Sequence, residues 1–235
     1  NMKIIKSFIF VSTLMFLNIN YSMAEDAEAR PTIFKNTIHA MQLCETGSDL
    51  TNCVNPATIG SSTAGTTMDL SVVGSANSFG NAGLIPVGIT YTHGQVILSR
   101  SFTMKGTVTT SAATCKTGGS DGTKTAGGAT GNAGAVAEQV IMATNGTNYP
   151  TTMNSTSAII NGTDADPGTI ASADDLMKFR WKLSKPFKVT VGQIPTMKIA
   201  FDLSGALTFN DGSGDGECDG NDFHPGSPVI TNTFE

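Results

Sequence analysis

The sequence predicts an all-β chain: an antiparallel β-sandwich with long Gly- and Thr-rich loops, two disulfides and at most short helices. Three observations carry that expectation. From Leu84 to Val108, apolar side chains (Ile89, Tyr91, Val96, Leu98, Phe102, Met104 and Val108) recur at or near every second position, the period of a strand with one buried face. Only 14% of the 235 residues are charged and 26 are Gly, against about a quarter charged in an ordinary globular chain. With Thr, Ser and Asn in quantity, that composition favours short strands and tight turns over long helices. Finally, an even number of cysteines, Cys44, Cys53, Cys115 and Cys218, reads in an exported chain as two disulfides.

At the N-terminus, Lys3 and Lys6 precede the apolar run Phe8 to Leu17, and Ser22-Met23-Ala24 places small residues where a signal peptidase reads them. This pattern predicts a secretory signal peptide over residues 1–24, cleaved before Glu25. The apolar run is too short for a comfortable membrane span, so no stable membrane insertion is expected after cleavage. Residues 25–235 are then expected to form a single elaborated domain. Its setting is extracellular or cell-surface, with the periplasm as the alternative compartment.

The mature chain opens with EDAEARPT, a polar arm expected to be mobile and able to pair with a neighbour's sheet edge. A first strand follows over Ile33–Leu43. Cys44 and Cys53 flank ETGSDLTN, a segment of hairpin-loop length, which pairs them and leaves Cys115 to Cys218. Thr67–Val73 is the next strand, with Met68, Leu70 and Val72 on one face. After the loop SANSFGNAG, the Leu84–Val108 stretch reads as two or three strands.

The order TMDLSVV, a Gly/Asn loop, LIPVGITYT and then VIL resembles secreted prealbumin-like or immunoglobulin-like β-sandwich modules, in which an L-P-x-G-x-Y-T run leads into a core strand. Gly88 suits the turn of that run and Tyr91 the strand entry. The resemblance implies a sandwich fold and an extracellular setting. Such modules host adhesion, fibre-building and glycan-binding alike, so it implies no activity.

Residues 109–133 form a low-complexity insert without hydrophobic periodicity, expected to be a flexible surface loop tethered by Cys115. Val136, Val140 and Ile141 fall at helical spacing and predict a short helix over Gly134–Ala143. The turn signals Asn145-Gly146 and Asn161-Gly162 predict short hairpins between them. Phe179, Trp181 and Leu183 alternate, as do Phe187, Val189 and Val191, with Lys185-Pro186 at the junction, and Lys198–Leu207 gives another strand.

One segment has the spacing of a metal loop. In DGSGDGECDGND, Asp211, Ser213, Asp215, Asp219 and Asp222 stand at positions one, three, five, nine and twelve, with Gly216 at the sharp turn. It resembles the D-x-[DNS]-x-D-G-x-x-D-x-x-D calcium motifs of secreted repeat proteins, and a bound Ca2+ would hold together carboxylates that otherwise repel. It departs from the EF-hand in its terminal Asp, its lack of flanking helices and the Cys218 inside it; the alternative is a solvated acidic turn tied by a disulfide. A G-x-S-x-G match at Gly118–Gly122 offers Ser120 as a hydrolase nucleophile, with Asp174 or Asp175 and His224 in formal triad order. Its flanks supply neither the strand nor the helix that a nucleophile elbow needs.

His39 and His93 sit on predicted strands and read as structural. Asn145, Asn154 and Asn161 begin N-x-[ST] sequons, glycan acceptors in a eukaryotic secretory pathway. A glycan-binding face would need exposed rings such as Tyr91 or Tyr149, whereas Trp181 on an alternating strand defaults to the core. The net charge of -5 without a Lys/Arg cluster argues against nucleic acid and anionic membranes as partners. The expectation is an exported non-enzymatic structural or interaction protein at the cell surface, a candidate subunit of a fibre or assembly whose partners are itself or other surface proteins. The alternative is a secreted module binding glycan or a small ligand, with calcium assisting, and the remote third reading is a serine hydrolase.

Overall fold

Abundant Thr, with few Glu, Gln and Arg to favour helix, gives fourteen strands among the described residues, with one helical turn, a 3₁₀ helix at Ala82–Leu84. The computed structural model describes residues 26–72, 79, 81–110, 113–125, 127–143, 151–154, 157–161, 175–192, 196–211, 215, 217–218 and 222–234. The predicted signal peptide lies outside them, as do Asn145, Gly146, Tyr149, Gly162, Asp174, Ser213, Gly216 and Asp219. In chain order the strands are β1 Asp26–Ala29, β2 Ile33–Glu45, β3 Ala57–Asp69, β4 Thr90–Lys105, β5 Thr107–Thr109, β6 Thr114–Lys116 and β7 Gln139–Met142. There follow β8 Thr151–Asn154, β9 Ser157–Asn161, β10 Leu176–Lys188, β11 Met197–Asp202, β12 Leu207–Asn210, β13 Phe223–Pro225 and β14 Val229–Phe234.

Every strand pairing among the described residues is antiparallel. The principal sheet runs β3-β2-β4-β10-β9-β8, and β7 joins β4 at Ser101–Met104, beyond the reach of β10. Three small sheets accompany it: β1-β12-β13, β11-β14 and β5-β6. The inner face of the principal sheet carries Phe34, Val96, Phe102, Phe179 and Trp181 in one core with Leu207, Phe209 and Phe223 from the small sheets. Aromatic contacts lock it, Phe34 on Phe102 with ring centroids 5.4 Å apart and Phe209 on Phe223 at the same separation. Phe187 of β10 stacks on Phe234 of β14 at 3.7 Å, joining the two-stranded sheet to the principal one.

Bulges decide which residues face inward. In β2 the inward set is Phe34, Asn36 and Ile38, then Met41 and Leu43, because the register shifts between Ile38 and Ala40. Strict alternation read from the sequence would have lost Met41. A second shift, between Lys182 and Phe187 of β10, absorbs Lys185-Pro186 without ending the strand. Phe179, Trp181, Leu183 and Phe187 therefore belong to one strand, whereas Val189 and Val191 of the predicted alternation lie beyond its end.

Several expectations are corrected. The arm after Ala24 supplies β1, paired to β12 in the same chain. Leu84–Val108, by contrast, holds two strands as expected, the sixteen-residue β4 and most of the short β5. The strand expected at Thr67–Val73 begins ten residues earlier and ends at Asp69. The helix expected over Gly134–Ala143 is replaced by β7, because Val140 and Ile141 lie opposite Thr103 and Phe102, where tertiary pairing outweighs a helical spacing ten residues long. The hairpin expected between the two Asn-Gly pairs is present as β8 and β9. Both disulfides, Cys44–Cys53 and Cys115–Cys218, form as predicted.

The low-complexity insert has no apolar core of its own, yet it is held closely. The backbone of Lys116 bonds reciprocally with that of Asn132, and Ala129 with Phe223. Buried Gln139 accepts from Gly118 N at 2.9 Å and donates to the carbonyls of Ser120 and Thr130 at 2.6 and 2.8 Å. At Gly122 a β-carbon would collide with the Gly128 carbonyl, so glycine there permits two backbones to meet.

Candidate functional site

Between the principal sheet and the β11-β14 sheet lies a cavity of ≈ 70 Å³. Phe34, Ile38 and Met41 of β2, Val96, Leu98 and Phe102 of β4, and Met177, Phe179 and Trp181 of β10 form its floor. Ile199 and Phe201 of β11, Ile230 of β14 and the Pro225–Pro228 segment form the opposite wall. That wall ends in a proline-bounded turn because Pro225 closes β13 and cannot extend its ladder.

Asn36 is the polar side chain of the floor. It is 5% exposed, and its Nδ2 donates to the carbonyls of Ser99 and Ser101 at 2.8 and 3.0 Å, spanning the bulge in β4 opposite β2. Its Oδ1 is sealed from solvent and accepts no hydrogen bond. At the other end of the floor, Trp181, 2% exposed, likewise has an Nε1 donor without an acceptor. Native interiors pair nearly all such groups, so two orphans among the residues of one sheet face are unusual.

The outer face of the same strands carries a polar ladder. Thr58, Gln42, Gln95 and Arg180 stand directly opposite one another on β3, β2, β4 and β10. Gln42 Nε2 donates to Thr58 Oγ1 at 3.1 Å, Gln95 Nε2 to Gln42 Oε1 at 2.7 Å, and Arg180 Nε to Gln95 Oε1 at 2.9 Å, while Arg180 Nη2 donates to the same oxygen. Arg180 Nη1 donates to the Leu50 carbonyl at 3.2 Å, fastening the Cys44–Cys53 loop over a fully buried guanidinium. His93 lies beside this ladder, with its Nδ1 3.0 Å from Thr92 Oγ1. Burial, reinforced by the Arg180 charge, pushes the His93 imidazole below its ordinary range.

No family model, curated protein or solved structure matches this chain.

The residues singled out from the sequence are distributed as follows. Asp211 and Asp222 are buried at the ends of the acidic segment, and the Asn210 amide donates to the Asp222 carbonyl at 2.8 Å. Asp215 is exposed and caps its own turn by accepting from Glu217 N at 2.9 Å. Ser213 and Asp219 lie outside the described residues, and among the described residues no three His, Cys, Asp or Glu side chains gather as a metal would require. Ser120 is exposed on the insert, and no hydrogen bond joins it to His224 or Asp175; Asp175 is ion-paired with Lys124. His224 sits half-buried on β13, and burial lowers its pKa.

Tyr91 and Trp181 are both buried, so neither offers a ring to a sugar. His39 lies on β2 beside Gly65, whose positive φ of 75° belongs to a bulge in β3. Asn154 and Asn161 end β8 and β9. Sequence reading missed Asn36, Gln42, Gln95 and Arg180. A polar residue at an inward position of β2, and three polar residues that meet only through register, carry no local signal.

Proposed function

We propose that the chain is an exported, non-enzymatic structural or interaction protein of the cell surface. It joins an extracellular fibre or other assembly by pairing a strand edge with a copy of itself or with another surface protein. The observation that supports this reading is the β11-β14 sheet, which among the described residues has no third strand. A two-stranded ribbon is marginal by itself. Here Met197, Ile199, Phe201, Ile230 and Phe234 pack against the core and hold it in place, so its backbone edge is presented on a fixed support. The β14 segment VITNTF contains no charge and no proline, the devices that usually blunt an edge. An added strand would extend this layer by main-chain hydrogen bonds, the β-augmentation mode of recognition.

Light scattering coupled to size-exclusion chromatography, run on the oxidised protein over a wide concentration range, tests this reading. Concentration-dependent oligomers or filaments are the expected result. Ala200→Lys, which adds a cation beside Lys198 on the exposed face of β11, should weaken them. A strict monomer at every concentration overturns the reading. Millimolar calcium in a parallel run examines the acidic segment from Asp211 to Asp222 separately.

A further inference from the structure

We propose that copies of this chain join head to tail, the basic end of one against the acidic end of the next. The partner is thus a second copy. This contact deepens the assembly reading above and rests on it, but not on the strand edge. Charge is sorted along the last part of the sequence. From Leu176 to Phe201 there are six Lys and Arg and no Asp or Glu, and from Asp202 to Glu235 there are seven Asp and Glu and no Lys or Arg.

The fold turns that order into two poles. Lys182 stands opposite His93 and Lys188 opposite Thr90, at the end where β4 begins, with Lys185 in the irregular stretch between them; all three are exposed. The carboxylates near them are engaged locally. Glu45 accepts from Asn55 Nδ2 at 3.1 Å, and Asp49 accepts from the amides of Thr51 and Asn52 in its own loop. The acidic pole lies at the other end of β4. Cys218 is bonded to Cys115, which stands opposite Val108, beyond Lys105 where β4 stops. Asp215 and Glu217, just before Cys218, are exposed there. Of the cations at this end, Arg30 acts on Asp202, and Lys116 Nζ donates to the Gly134 carbonyl at 2.8 Å. β11 has the same polarity: exposed Lys198 lies toward the Phe187–Phe234 stack of the basic pole and exposed Asp202 at the opposite end of the strand.

The sixteen residues of β4 span about 50 Å at the usual rise, several times the ~10 Å over which exposed charges act at 0.1 M salt. The poles therefore cannot neutralise each other within one chain. Because they are different surfaces, their contact is heterologous, and unless its rotation closes a ring it repeats into an open filament.

Light scattering on the intact oxidised protein at about 0.05 and about 0.5 M NaCl tests this contact. The protein concentration at half-association should rise about tenfold or more at the higher salt. Lys182→Glu, Lys185→Glu and Lys188→Glu together make both poles acidic, and Asp215→Lys with Glu217→Lys makes both basic. Each variant alone should stay monomeric at low salt, and an equimolar mixture of the two should assemble. All five positions are exposed, and the salt response of the unaltered protein keeps the test decisive if a variant fails to fold. Assembly that is indifferent to salt, or that either variant retains alone, overturns the head-to-tail contact and leaves edge pairing standing. Assembly that follows the charge variants but ignores Ala200→Lys upholds the contact and removes the edge. A mixture of folded variants that stays monomeric overturns the proposal. An unaltered protein that is monomeric under every condition, whether or not dextran sulfate binds its basic pole, overturns both readings.

Discussion

Arg180 shows how much a single residue carries in this fold. Its guanidinium is fully buried, and Gln95 supplies the oxygen that two of its nitrogens share. Gln95→Leu strips that acceptor from a buried charge and should lower stability by about 3 kcal/mol, whereas Gln42→Leu removes a neutral link and should cost only about 1 kcal/mol. Urea unfolding monitored at Trp181 separates the two. Titration gives a second prediction at this scale. His93 is held below its ordinary 6.5 by burial and the Arg180 charge, and His224 by burial. The unfolded chain therefore takes up protons first, so this stability is intact above 6.5 and drains away as pH falls toward the folded values. Urea midpoints measured from about pH 8 to about pH 5 should fall, and the fall should be shallower in His93→Gln. The two histidines were visible in the sequence as isolated residues, but Arg180 and its glutamine partners were not. Gln42, Gln95 and Arg180 lie far apart along the chain and become a row only when three strands adopt one register.

At the scale of elements, most strands were legible and their junctions were not. Ile33–Leu43, the Phe179 alternation and the apolar set of β4 were visible because period-two burial is written directly into the residues. The bulges at Ile38–Ala40 and after Lys182 were hidden, since an extra residue in one strand is defined only against its partner. β7 was misread as helix for the same reason, its identity residing in Thr103 and Phe102 across the ladder. Gly94 illustrates the complementary case. A β-carbon there would drive into the indole of Trp181, its partner on β10. Gly94→Ala should therefore destabilise by about 1–3 kcal/mol through overpacking, and the spectral maximum of Trp181 should shift with it. A variant of wild-type stability and emission would refute the close contact.

For the whole molecule, cysteine count and composition were sufficient to place the chain among all-β, disulfide-bonded proteins of an oxidising compartment. The layering was beyond reach, because β1, β12 and β13 are short and pair across long separations in sequence. The two disulfides should differ in weight. Cys115–Cys218 spans 103 residues and Cys44–Cys53 only 9, so paired Cys→Ala replacement should cost about 4.7 kcal/mol for the first and roughly 2.5 for the second by loop-closure entropy. Calorimetry of the two double variants checks that order. The central position of β4 has a kinetic meaning as well. Its partners arrive from residues 33–45 on one edge and from 139–142 and 176–188 on the other, so that second edge is not closed until about three-quarters of the polypeptide is at hand. Such non-local topologies refold in milliseconds to seconds, far slower than helical proteins of similar stability. Throughout that interval β4 is an open template, and the yield of correctly folded molecules is set by the race between intramolecular closure and encounter with another unfinished chain.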